Sequence, residues 1–355
     1  MGGTDALFGS VMSQTSHART RYGTGDLDRR FSVAPMMDCT DRHCRRFLRL
    51  ISGRALLYSE MITANALIHG DAQRFLAFDA AEHPVALQLG GSEPGALAQA
   101  ARLGEAAGYD EINLNVGCPS DRVRSGRFGA CLMAEPERVG DCVAAMIDAV
   151  GIPVTVKCRI GIDEQDIEYE LNRFIGTVAD AGCAIFIVHA RKAWLQGLSP
   201  KANRSVPPLD YGRVYRLKEA RPDLEIVING GIETLEQCEV HLRHVDGVML
   251  GRAAYHDSYL LSGVDAQIYG DEGPRPSRAE ILERFLDYAE AELAKGEPLH
   301  HLTRHILGLF KGQPGARAVR RVLSDGAAGR LNDIAPLLHA IEALGADASH
   351  IEAAE

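Results

Sequence analysis

The sequence has few aromatic residues and no long hydrophobic run. Of its 355 residues, 6% are aromatic and one is tryptophan. No stretch approaches the roughly 18 consecutive apolar residues that a membrane-spanning helix requires, so we expect no membrane partner. Residues 1–27 lack a basic region followed by an apolar core, which argues against a secretory signal. We therefore expect a cytoplasmic protein.

Closely spaced cysteine pairs are also missing. The eight cysteines form no CxxC motif, and in a large chain without a signal they are expected to be reduced thiols. Basic residues are outnumbered, 38 against 48, which gives a formal net charge of −10. That balance argues against an indiscriminate, strongly basic nucleic-acid binder.

Eight short apolar runs are present, separated by longer amphipathic stretches. Runs of this kind are typical of strands buried on both faces of a parallel sheet. They cover residues 31–37, 55–62, 84–90, 111–117, 153–159, 184–190, 225–231 and 247–252. Helical patterns lie between them, for example over residues 95–108, 136–151 and 166–182. Their number and spacing predict a (β/α)8 TIM barrel, with a doubly wound sheet as the alternative.

A change in composition divides the chain. Residues 263–277 are rich in Gly, Pro and Asp and predict a linker. The expected organisation is a flexible tail (1–27), a barrel (28–262), this linker, a small all-helical domain (278–345) and a second tail (346–355).

Polar side chains collect at the carboxyl ends of the predicted strands, which is where barrel enzymes place their active sites. The residues concerned are Gln88, Asn115, Lys157, His189, Asn229 and Arg252. Gly230, Gly231 and Gly251 follow the last two strands, where backbone N–H groups can approach a phosphate. Carboxylates at these ends are limited to Asp38 and Glu60, so an organic cofactor carrying phosphate is favoured over a metal site.

Several motifs resemble those of the tRNA-dihydrouridine synthases, and most closely the bacterial A branch of that family. They are APMMDCTDRHCRR, QLGG, NLNVGCPSDRV, VKCRIG, HARKAWLQGLSPKANR, INGGI and DGVMLGRAAY, in this order, and the similarity covers residues 28–345. The resemblance implies an FMN-dependent barrel with a helical tRNA-binding domain. The implied reaction is reduction of uridine to 5,6-dihydrouridine in the D-loop, at positions 20 and 20a, with NADPH as reductant.

The resemblance also assigns roles to residues. The proton donor is Cys118. A cysteine thiol is mostly protonated at neutral pH and can act as an acid toward C5 of the uracil. FMN contacts fall on Pro35, Met36, Met37, Gln88, Lys157, His189, Asn229, Gly230, Gly231, Gly251 and Arg252. Contacts with tRNA fall on Asn115, Lys201, Arg204, Arg317 and Arg320.

The distribution of charge agrees with an RNA substrate better than the net charge does. Residues 191–221 carry eight basic and two acidic side chains, and residues 299–330 carry six and one. The acidic excess lies in residues 265–297 and 331–355. The sequence leaves two other functions open: a flavin barrel acting on a free pyrimidine, and a tRNA-binding protein without catalysis. It indicates no obligate protein partner.

Overall fold

The computed structural model describes residues 27–120, 126–314, 316–317, 319–321 and 323. Its nine strands form one parallel sheet. They are β1 (Phe31–Val33), β2 (Leu56–Tyr58), β3 (Ile62–Thr63), β4 (Val85–Gly90), β5 (Glu111–Val116), β6 (Val154–Arg159), β7 (Ile185–His189), β8 (Glu225–Asn229) and β9 (Gly247–Leu250).

Eight of these strands close into a barrel. β2 pairs with both β1 and β4, with Ser32 opposite Leu56 and Leu57 opposite Val85, and β1 pairs with β9. β3 pairs only with β4 and lies outside this ring. The predicted TIM barrel is therefore confirmed. The second predicted run is divided between β2 and β3, and the first ends early because Pro35 cannot donate a ladder hydrogen bond.

Helices surround the barrel. In the described part of the chain they are α1 (Arg42–Ile51), α2 (Ala64–His69), α3 (Ala72–Leu76), α4 (Pro94–Ala106), α5 (Pro136–Ala149), α6 (Ile167–Asp180), α7 (Tyr211–Ala220), α8 (Leu235–Leu242), α9 (Arg252–His256), α10 (Val264–Gln267), α11 (Arg278–Ala294) and α12 (Leu299–Ile306). The three predicted helices coincide with α4, α5 and α6. Pro at the first position of α4 and α5 suits a helix start, since its missing N–H needs no partner there.

Strand side chains alternate between two environments. Those facing the helices are apolar, such as Val33, Leu114 and Val188. The side chains facing inward form a smaller apolar cluster with Leu56, Ile187 and Val227. Polar inward side chains continue upward from this cluster to the carboxyl ends of the strands, and so the same alternation that builds the core also builds the site.

The C-terminal helices pack on the barrel. Ser277 caps α11 through a capping box with Glu280, and the Phe285 ring lies 5.5 Å from the Phe47 ring of α1. The segment predicted as a linker contains α10, and its Tyr269 hydroxyl accepts the backbone N–H of Phe31 at 3.2 Å. Among the described residues, no helix has the length and apolar character needed to cross a membrane.

Candidate active site

The carboxyl end of the barrel brings together five of the predicted side chains. Gln88, Asn115, Lys157, His189 and Asn229 stand on β4 to β8, one on each strand. The Lys157 Nζ donates to Asn229 Oδ1 at 3.1 Å, and the Asn115 Nδ2 donates to Gln88 Oε1 at 2.8 Å. Residues up to 141 positions apart in the chain thus line one cleft, as parallel strands in a closed barrel require.

Two glycines, Gly230 and Gly231, follow β8 and lie beside the cleft. Gly230 has φ +118°, and a Cβ there would lie 2.6 Å from the His189 Cδ2. Gly231, with φ +67°, would place a Cβ 2.6 Å from Leu209. Side chains at either position would be strained and would collide with their neighbours. The two glycines therefore let the His189 and Leu209 side chains pack directly against this backbone.

The third glycine and the segment after β1 lie on the adjoining wall. A Cβ at Gly251 would lie 3.7 Å from the Met36 sulfur. Pro35 and Met36 are partly buried, whereas 53% of the Met37 surface is exposed. Arg252 begins α9 and is exposed. These residues form an apolar edge and a cationic edge next to the glycines.

The cleft is rich in cations that have no carboxylate neighbour in the described contacts. Burial, with the nearby Arg159 charge, lowers the pKa of Lys157 to about 8. Burial also lowers the pKa of Arg159 to about 10. The pKa of His189 is held well below its usual value by burial and by the charges of Arg159 and Lys157, so its imidazole is neutral at pH 7. An anionic or electron-rich ligand would relieve this crowding of positive charge.

Cys118 lies on the loop after β5, at the edge of the cleft. Its backbone N–H donates to Asn115 Oδ1 at 2.9 Å, and its carbonyl accepts from Ala130 N at 2.9 Å. The thiol is partly exposed and donates to Ser120 Oγ at 3.6 Å. Both sides of the loop are therefore tied to the scaffold, and the thiol is partly exposed.

Four of the five predicted tRNA-binding residues are exposed, whereas Asn115 is buried, with 8% of its surface exposed. Lys201 and Arg204 flank Asn203 in the loop between β7 and α7. Arg317 and Arg320 follow the 3₁₀ helix Leu307–Phe310 and are exposed. The guanidinium of Arg252 donates to the carbonyl of Arg204 at 3.3 Å, which joins the loop to the cleft.

Sequence reasoning missed two buried residues that hold the loops of the cleft. Arg159 donates from Nε to Gly117 O at 2.9 Å and from Nη1 to the carbonyls of Lys192 and Asn203, each at 3.0 Å. Asn203 accepts from the Trp194 N–H and donates to the Trp194 carbonyl, both at 2.8 Å. The signal for Arg159 was available, because it stands two residues after Lys157 on the same strand.

One cluster of metal-ligand type occurs in the described part of the chain, away from the cleft. It consists of His43, Glu292 and Glu297. The Arg42 Nη2 lies 2.8 Å from the Glu292 carboxylate and 3.2 Å from that of Glu297. The Arg42 guanidinium, together with the Lys295 ammonium 2.7 Å from Glu292 Oε1, thus already balances the two carboxylates.

The barrel, its cation-rich cleft and the partly exposed thiol define a cofactor-binding barrel enzyme. The model of the family "Dihydrouridine synthase (Dus)" matches residues 32–342, and the chain belongs to this family of flavin-dependent, tRNA-modifying oxidoreductases.

Individual relatives are similar over most of their length. The tRNA-dihydrouridine(20/20a) synthase of Pseudomonas aeruginosa is 62% identical over 84% of this chain and 90% of its own. The enzyme of the same name from Xanthomonas campestris is 60% identical over 84% and 88%. A solved complex of 2-naphthoyl-CoA reductase shares the fold, with TM-score 0.51 and 13% identity over 66% of this chain and 49% of that chain.

Proposed function

We propose that this protein reduces uridine to 5,6-dihydrouridine at positions 20 and 20a of tRNA, with FMN as bound cofactor, NADPH as reductant and Cys118 as proton donor. The observation that carries the proposal is the position of Cys118: its partly exposed thiol lies on the loop after β5, and its backbone N–H bonds the side chain of Asn115, the register partner of Lys157. Relatives about 60% identical bear the name of this reaction.

The residues of the cleft fit FMN. Gly230 and Gly231 follow β8 at the carboxyl end of the barrel, where backbone N–H groups suit a phosphate, and the exposed Arg252 at the start of α9 supplies a positive charge. Gln88 and Lys157 offer donors to the edge of a planar ring, and Met36 offers an apolar contact. NADPH would enter transiently.

When bound, the flavin supplies the hydride that C6 of the uracil receives. Cys118 gives its thiol proton to C5, so that one hydride and one proton are added across the double bond. The thiolate that remains is on the loop whose Gly117 carbonyl the Arg159 guanidinium holds at 2.9 Å. Neutral His189 offers one donor and one acceptor and adds no further charge to the cleft.

Recognition of tRNA falls to Lys201, Arg204, Arg317 and Arg320. A uridine must leave its stack to reach the cleft, which costs a few kcal/mol. Phosphate contacts from these exposed cations offset that cost. We assign residues 278–345, which the sequence predicts to be helical, to tRNA binding on the same basis; residues 324–345 lie outside the described part of the chain.

The test uses a tRNA transcript, which contains no dihydrouridine, incubated with the flavin-loaded protein and NADPH. Mass mapping should find two added hydrogens at positions 20 and 20a. Cys118→Ala should bind the transcript and yield little product. Absence of dihydrouridine with the wild-type protein would refute the proposal, and reduction of free uridine at a rate unaffected by Lys201→Ala would favour a small-molecule enzyme instead.

A further inference from the structure

A continuous series of hydrogen bonds runs through the barrel from its lower end to the Cys118 loop. Asn115 Nδ2 donates to Gln88 Oε1, Gln88 Nε2 donates to Asn113 Oδ1, and Asn113 Nδ2 donates to Thr155 Oγ1, each at 2.8 Å. The Thr155 hydroxyl then donates to Glu111 Oε1 at 2.7 Å. We call these five residues the amide row. Every donor in it points toward Glu111.

At the lower end of the amide row the hydrogen bonds can run only in this direction, from donor toward Glu111. The Glu111 carboxylate accepts from Arg29 Nε at 2.7 Å and from the Tyr58 hydroxyl at 2.6 Å. Arginine has donors only, and Glu111 is completely buried. Thr155 must therefore give its single proton to Glu111, and its oxygen is left to accept from Asn113.

At the upper end, independent contacts require the same direction of hydrogen bonding. The backbone N–H groups of Gly117 and Cys118 both donate to Asn115 Oδ1, at 3.1 and 2.9 Å. A reversed Asn115 amide would set its N–H groups against these two donors. Because both ends agree, the orientation of each amide between them is fixed.

The amide row leaves Asn115 with one uncommitted hydrogen-bonding group among the described contacts. Its oxygen accepts two bonds, and one of its two N–H hydrogens goes to Gln88. The other N–H belongs to a side chain at the carboxyl end of β5, where the cleft opens. A donor fixed in this position can bond a carbonyl oxygen of a ligand, but it cannot bond an amino group, which is itself a donor.

Closing the barrel does not require this polar series. Other strands supply apolar inward side chains, among them Ala34, Ile187 and Val227. Buried polar networks are costly unless every member is satisfied, so apolar packing would close the interior at lower cost. The amide row therefore has a use that packing does not explain.

We propose that Glu111 and Thr155 are positioning residues that act through Asn113 and Gln88 to hold Asn115 as a donor, and thereby select uracil over cytosine. Uracil has a carbonyl at C4 where cytosine has an amino group. This inference rests on the proposed function, since it takes the uridine of tRNA as the ring that meets Asn115.

The test compares Thr155→Val, which removes the hydroxyl in a similar volume, with Thr155→Ser, which keeps it. Binding is measured for the flavin-loaded protein without NADPH, using two tRNA transcripts that differ only in uridine or cytidine at positions 20 and 20a. We expect the wild type to prefer the uridine transcript. The ratio of the two affinities should fall by about tenfold in Thr155→Val and stay at the wild-type value in Thr155→Ser. If Thr155→Val does not fold, Thr155→Ala removes the same hydroxyl.

The affinity ratio separates positioning from stability, because a merely structural role would lower the melting temperature and leave the preference intact. A folded Thr155→Val protein with the wild-type ratio would overturn the inference. Equal losses in the Val and Ser variants, or a wild type without preference, would do the same. Failure of the proposed function would appear elsewhere, as a wild type that makes no dihydrouridine with NADPH.

Discussion

Replacing Lys157 with methionine should make the flavin-free protein more stable. The Lys157 ammonium lies in the cleft with Asn229 Oδ1 as its acceptor at 3.1 Å. Burial, with the Arg159 charge, lowers its pKa from 10.5 to about 8. A shift of this size corresponds to about 3 kcal/mol of unfavourable free energy for the charged form. The substitution also removes the hydrogen bond to Asn229, which costs about 1 kcal/mol. The free energy of unfolding of Lys157→Met should therefore be higher by about 2 kcal/mol at pH 7.

The gain should depend on pH in a defined direction. Between pH 8 and 10.5 the unfolded chain keeps the Lys157 proton and the folded chain has lost it. The unfolded state then binds more protons, and the stability of the wild type rises with pH across this window. The advantage of methionine is therefore complete below pH 8 and shrinks toward pH 10.5.

Urea unfolding of both flavin-free proteins at neutral and alkaline pH measures this difference. Lys311→Met is the matched control, because this lysine is 57% exposed and pairs with Asp257 at the surface. Its effect should be small at both pH values. In the same Lys157→Met protein, flavin retention should fall. A destabilised Lys157→Met protein at pH 7, or a gain that does not change with pH, would refute the reasoning.

Three further substitutions test the loops and the glycine wall. Asn203→Ala removes the buried amide that closes the 194–203 loop and should cost about 2–4 kcal/mol in chemical unfolding, whereas Ser199→Ala in the same loop should cost little. Gly230→Ala places a Cβ 2.6 Å from His189, so the purified protein should contain less flavin per chain, as read from its absorbance. Lys201→Ala should lower the slope of log affinity for tRNA against log salt by about 0.7–0.9, and an unchanged slope would exclude a phosphate contact.

Much of the barrel could be predicted because its signals are local. The apolar runs gave the strands, and the polar residues ending those runs gave the cleft. Gln88, Lys157 and Asn229 were all found in this way, since in a barrel every strand ends at the same face.

The amide row could not be predicted, because its contacts depend on strand register. The segment Glu111–Val116 was predicted as a strand because of its apolar residues. Its alternate residues Glu111, Asn113 and Asn115 are polar, and their side chains face the barrel interior. Asn113 meets Thr155 because these two residues are register partners across β5 and β6. Nothing in either segment specifies that register. The net charge was misleading for a related reason, since it carries no information about which segments meet at the cleft.

Arg159 illustrates the same limit, because its partners are backbone carbonyls far away in the sequence. Its guanidinium holds the carbonyl of Gly117, beside Cys118, and those of Lys192 and Asn203 in the loop that carries Lys201. It is 3% exposed and has no carboxylate partner among the described residues. One side chain thus ties the predicted proton donor to the predicted tRNA-binding loop.

Arg159→Lys should therefore weaken catalysis and tRNA binding together, because one ammonium cannot reproduce the fork of donors. Arg213→Lys is the matched control: Arg213 is equally buried and donates to the carbonyls of Ile167 and Glu168, on the outer layer of helices. Both variants should lose stability, but only Arg159→Lys should also lose turnover and tRNA affinity, each by at least about tenfold. Turnover and affinity are measured well below the melting temperature of each variant. If the two variants lose function equally, or if Arg159→Lys loses turnover alone, Arg159 does not couple the two loops.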